Sequence, residues 1–90
     1  MKVTATITGA NQWTSEVELS AGYFDLSING TFVATVTVQR SLNGGVTWGD
    51  CATFTAPTED VGLEGAGARY RVGCKTAEFT SGTINITILV

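Results

Sequence analysis

Ninety residues suffice for one domain with one core, and a chain this short buries only about 60–65% of its unfolded surface, so an oligomer or larger assembly is a natural source of further burial. Five cationic and eight anionic residues give a formal net charge of −3, which argues against a nucleic-acid binder with its basic stripe. The absence of histidine excludes Ser-His-Asp and Cys-His catalytic arrangements, and no apolar run reaches the length of a membrane span.

The opening MKVTATITGANQW alternates apolar and polar residues. Val3, Ala5 and Ile7 face one way and Thr4, Thr6 and Thr8 the other, the signature of a half-buried strand. It lacks the continuous apolar run of a secretory segment, so the expectation is a chain made and kept in a cytoplasm. A turn at Thr8–Asn11 follows, then Trp13. Val17 and Leu19 oppose Glu16 and Glu18 in a second strand. Two carboxylates at that spacing approach the separation of a glycosidase pair, but on a convex strand face they read as solvated charges.

After Ser20-Ala21-Gly22, Phe24, Leu26 and Ile28 alternate with Asp25 and Ser27. Asn29-Gly30 then predicts a type I′ hairpin, because both central positions of that turn require positive φ. It would join strands at about 23–28 and 32–40, the latter with Phe32, Ala34, Val36 and Val38 on its core face. Weaker strands are expected at Trp48–Phe54 and Thr58–Leu63, with Pro57 between them where a missing donor does no harm. Beyond Gly65-Ala66-Gly67, Tyr70, Val72 and Cys74 oppose Arg69, Arg71 and Gly73. The basic trio Arg69, Arg71 and Lys75 reads as a polar strand face, short of the convergent cations a phosphate site needs.

A last turn signal, Ser81-Gly82, precedes Ile84, Ile86 and Ile88. This run carries neither charge nor proline, so it is expected at the centre of a sheet; at an edge it would need a neighbouring subunit to cover it. The whole reads as an all-β fold, a small antiparallel β-sandwich of seven or eight strands in one domain over residues 1–90, with a jelly roll among the arrangements. Cys51 and Cys74 are either one disulfide or two thiols, and a reducing compartment favours the thiols. Two cysteines without histidine cannot build a structural zinc site, and Asp50, Glu59, Asp60 and Glu64 lack the dense spacing of an EF-hand, so no metal or other cofactor is expected.

The most patterned loop is RSLNGGVTWGD. Its Ser41-x-Asn43-Gly44-Gly45-x-Thr47-Trp48 resembles an Asp-box, the S-x-D-x-G-x-T-W hairpin of sialidases and other β-rich proteins. The resemblance implies a structural hairpin in which the Ser41 and Asn43 side chains bond loop backbone, Gly45 takes positive φ and Trp48 packs beneath. Asn43 replaces the usual Asp, keeping the turn chemistry but offering no carboxylate to a metal.

From about Tyr23 to Leu89, RS-x-N-GG-x-TW followed by YR-x-G-x-K and then SG resembles small β-sandwich virion structural proteins of tailed bacteriophages, decoration, cement or fibre-like components. That resemblance implies a non-enzymatic homo-oligomer, synthesised in the host cytoplasm, that binds the major capsid protein or other virion subunits at the particle surface. Contacts are then expected from loops and termini, with Trp13, Val46, Glu64, Ala66 and Ala68 as candidates. The alternative is a carbohydrate-binding or host-attachment module with Trp13 or Trp48 as a sugar-stacking platform. Against that stands a structural role in which each Trp caps an open end of the sandwich.

Overall fold

Period-two alternation of Thr with Val and Ile gives strands, and a computed structural model describing residues 1–90 has nine of them and no helix. They are β1 (Lys2–Ile7), β2 (Gln12–Trp13), β3 (Val17–Leu19), β4 (Gly22–Ala34), β5 (Val36–Ser41), β6 (Gly49–Phe54), β7 (Thr58–Glu64), β8 (Ala68–Cys74) and β9 (Phe79–Leu89). One antiparallel sheet has the order β1-β9-β4-β7. In the other, β8 pairs with β5 and β5 with β6, while β2 and β3 follow each other along the far edge of β8.

Between β2 and β3 the pairing continues through Thr14, whose N–H donates to Val72 O at 2.9 Å and whose Oγ1 accepts from Val72 N at 3.1 Å. The two short pieces thus occupy one position, and nine runs make two four-position sheets. Consecutive positions lie in opposite sheets except for the β5–β6 hairpin, which is the jelly-roll order. Counted by position there are eight strands, within the seven or eight expected, and the ninth run comes from this break.

Inward residues match the alternation. Ile7, Val17, Phe24, Leu26, Ile28, Val36, Val38, Tyr70, Val72, Ile84, Ile86 and Ile88 all belong to one buried cluster. β9 is central, paired on one side with β1 and on the other with β4, so its apolar run needs no covering partner. Cys51 is exposed and Cys74 buried, both as free thiols.

Two turn readings are corrected. β4 runs unbroken through Asn29-Gly30, and β9 runs through Ser81-Gly82. Both glycines do take positive φ, 111° and 102°, but for a different reason. A Cβ on Gly30 would lie 2.3 Å from Thr83 O, and one on Gly82 would lie 2.2 Å from Thr31 O. The glycines let two long paired strands approach where a side chain would collide. The crossing to the other sheet comes instead at Thr35, between β4 and β5.

One end of the sandwich is closed by a carboxylate. Glu64, at the end of β7, is only 1% exposed. Arg40 Nε and Nη2 donate to its two oxygens at 2.8 and 2.9 Å. Tyr70 Oη donates at 2.7 Å, and the Ala66 and Gly67 N–H groups at 3.0 and 2.8 Å. Arg40 first, then the two backbone N–H groups and Tyr70, hold the Glu64 carboxyl far below the usual carboxylate range. Burial, followed by its bond to Glu64, pushes the Tyr70 phenol up to about 12.

Because Glu64's folded pKa is depressed, its stabilisation is complete above the ordinary carboxylate range and drains away as the pH falls through that range towards the folded value. Glu64→Gln is expected to lower the midpoint of thermal unfolding at pH 7 by on the order of 10 °C. Circular-dichroism melts from pH 7 down to pH 3 should show the wild-type advantage over this variant shrinking with acid.

Candidate functional site

The Arg40–Asp50 hairpin joins β5 to β6 and is bonded to itself. Ser41, 1% exposed, donates from Oγ to Asn43 Oδ1 at 2.9 Å and accepts the Gly45 N–H at 2.8 Å. Asn43 Oδ1 also accepts the Thr47 N–H at 2.9 Å, and its Nδ2 donates to Thr47 Oγ1 at 2.7 Å. That last bond is one for which the amide supplies its own proton, whereas an aspartate would need the hydroxyl to donate. Gly44 and Gly45 take φ of 73° and 91°. The tip leaves Leu42 and Val46 72% and 78% exposed.

Neither tryptophan belongs to the core cluster or to the side chains packed against it, so neither caps an end of the sandwich. Both are half-buried on the outer face of the β8-β5-β6 sheet, outside the core cluster. There they clasp the Arg71 guanidinium, with its Cζ 4.3 Å from the centre of Trp13 and 4.4 Å from that of Trp48. The strands explain the meeting. Arg71 alternates outward on β8, and Trp13 pairs with Gly73, the next outward position on that strand. A Cβ at Gly73 would lie 2.1 Å from Gln12 O, so only glycine lets β2 settle there.

From Arg71 the contacts run across the sheet. Arg71 Nε donates to Gln39 Oε1 at 2.9 Å, Gln39 Nε2 to Asp50 Oδ1 at 2.9 Å, and Lys75 Nζ to Asp50 Oδ2 at 2.6 Å. Lys75 and then Gln39 hold the Asp50 carboxyl below its ordinary value. Thr37 and Gln39, outward by alternation, are nevertheless buried at 0% and 7% exposure, so this face carries a second, thin layer of packed side chains. Sequence reasoning missed this layer. Beside it Arg69 lies 3.2 Å from Glu16 and 3.8 Å from Glu18, pairing the two carboxylates through one cation.

Of the residues expected at a partner, Val46 and Ala66 are exposed and Trp13 half-exposed. Glu64 and Ala68 are corrections. Glu64 is spent on five internal hydrogen bonds, and Ala68, 8% exposed, turns inward at the start of β8.

A surface that sequence reasoning overlooked lies on the opposite side, the outer face of the β1-β9-β4-β7 sheet. Tyr23 pairs with Leu63, while Asp25 pairs with both Val61 and Leu89. Tyr23, Leu63, Val61 and Leu89 are 73%, 62%, 59% and 42% exposed, so four neighbouring large apolar residues stand in water. Asp25 stands between Val61 and Leu89 and Glu59 beside Val61 on the same face, while Asp60, paired with core-facing Leu26, lies on the other side of edge strand β7; none of the three is in an ion pair. Farther along the face stand Thr4, Thr87, Ser27, Thr6, Asn85 and Asn29, a flat polar continuation.

No three or more His, Cys, Asp or Glu side chains are gathered as metal ligands. No protein family, curated protein or solved structure matches this chain. Fold and surface therefore define its class: an all-β, two-sheet sandwich with one outer face packed by its own side chains and the other bare.

Ser41→Ala removes a buried hydroxyl that serves two loop groups and is expected to cost about 1–3 kcal/mol in urea unfolding. Val46→Glu, at the exposed tip, should change stability by no more than about 0.5 kcal/mol.

Proposed function

We propose that this chain is a non-enzymatic structural protein of a tailed-bacteriophage particle, a decoration or cement subunit that binds the major capsid protein or another virion subunit as a homo-oligomer. It would be synthesised in the host cytoplasm and reside at the particle surface. The observation that carries this reading is the apolar group of Tyr23, Val61, Leu63 and Leu89 with its acidic border. Large apolar side chains gathered in water on one face of a small domain mark a contact surface. The jelly-roll order supports the reading by analogy, since viral capsid domains use it, and so does the resemblance of the sequence to phage virion proteins.

Energetics favour many weak contacts over one strong one. Burying the remaining exposed area of these four residues is worth roughly 4–7 kcal/mol, comparable to the cost of immobilising one partner on another. A single contact of this size is therefore weak, and several copies on a symmetric lattice gain affinity from linkage. The carbohydrate reading has less support. Each tryptophan already spends one ring face on Arg71, so the pair does not form an open slot for a sugar.

Mass spectrometry of purified particles is expected to find this chain at a stoichiometry set by the lattice, and Leu63→Glu is expected to deplete it more than tenfold while leaving its fold intact. Particles that lack the wild-type chain would overturn the proposal.

A further inference from the structure

Arg71 is fixed on three sides and open on the fourth. The guanidinium lies over the rings of both Trp13 and Trp48, with Cζ 4.3 and 4.4 Å from their centres, and Nε is spent on Gln39. The terminal nitrogens Nη1 and Nη2 bond nothing, yet neither is a sealed, unsatisfied donor, so both reach solvent. Arg71 also stands apart from the other arginines. Arg40 pairs with Glu64 and Arg69 with Glu16 and Glu18, whereas Arg71 has no carboxylate within 4 Å. The acids nearby are engaged elsewhere, Glu16 by Arg69 and Asp50 by Gln39 and Lys75.

We propose that Arg71 is the base of a carboxylate-binding site walled by Trp13 and Trp48. Stacking occupies the faces of a guanidinium and leaves its in-plane edge free, and that edge is the fork a carboxylate meets with two parallel hydrogen bonds. The side chain is ordered before the ligand arrives, so binding spends little of its energy on immobilising it. Burial disfavours the charged guanidinium and lowers the Arg71 pKa, outweighing the opposing pull of Glu16; an incoming carboxylate relieves that penalty. Lysine would not serve as well, since it has no planar surface for two indoles to grip and no fork to offer.

Two sources can supply this one chemistry. A second copy of the chain carries Asp25 and Glu59 on the sheet face opposite Arg71 and Asp60 on edge strand β7 beside them, all without a cation partner. A small free carboxylate is the other. The site stands on its own geometry and does not depend on the particle reading.

The test is a titration of the ¹⁵N-labelled full chain with sodium acetate, against sodium chloride at equal ionic strength, observing the Arg71 Nε–H and the two indole N–H signals. Acetate is expected to move all three saturably, with half-saturation at about 10–100 mM, as one charge-assisted pair provides. Chloride should not. Arg71→Lys should abolish the saturable response while leaving the backbone spectrum dispersed. Acetate shifts that match those of chloride, or that persist unchanged in a folded Arg71→Lys variant, would overturn the site. Sedimentation velocity separates the sources. Self-association that is lost in Arg71→Lys and in Glu59→Gln/Asp60→Asn, and competed by acetate, assigns the carboxylate to a second copy; acetate binding by a chain that stays monomeric assigns it to a free ligand. Either result upholds the site.

Discussion

Five donors from three separate stretches of chain converge on the Glu64 carboxylate, and the rest of the molecule is arranged around that convergence. Arg40 comes from β5, Tyr70 from β8, and the two N–H groups from the turn that leaves β7. One side chain thereby ties the edge of one sheet to two central strands of the other. A charge removed from water is costly unless every oxygen is satisfied, and here both oxygens are. The same bonds hold the turn at Gly65–Gly67 and so set where β8 begins. From Ala68 onward the register of β8 decides which residues face out, and Arg71 reaches Trp13 and Trp48 because that register is fixed.

The two outer faces have opposite characters. On the β8-β5-β6 side, indoles, a guanidinium, an amide and an ion pair form a packed layer that buries Thr37 and Gln39. This layer also links β2, β5, β6 and β8 beyond their backbone pairing. On the other side the outward residues are left bare, and the most exposed of its large apolar ones, Tyr23 and Leu63, stand side by side. A sandwich of ninety residues has little core to spare, yet it keeps these side chains in water. Exposure of that kind fits a domain that completes its burial on a partner.

Most of the fold was legible because one-sided burial imposes a period of two. Val3 to Ile7, Phe24 to Ile28 and Ile84 to Ile88 each announce their inner face, and the uncharged, proline-free run of β9 announces its central place. The errors share a cause. Asn29-Gly30 has the composition of a turn, but a glycine required by a close neighbour looks the same in sequence as a glycine required by positive φ in a hairpin. Glu64, next to Gly65-Ala66-Gly67, looks like an acid on an exposed loop, because its partners lie in β5 and β8 and only the folded chain assembles them. The tryptophans were singled out by type but not by place, since Arg71 is far from both along the chain. The glycine at position 73, which lets β2 approach, was the one available hint. The bare face was passed over because alternation identifies the buried side of a strand and says little about whether the other side meets water or a partner.

What ties these observations together is the claim that the Tyr23–Leu63 face is where the chain meets its partner. Hydroxyl-radical footprinting, read residue by residue by mass spectrometry, compares that face in the free protein and in the assembled particle. The account predicts that oxidation of Tyr23 and Leu63 falls several-fold on assembly while that of Leu42 at the hairpin tip falls less. Equal oxidation of Tyr23 and Leu63 in both states, with protection confined to the hairpin tip, would contradict it.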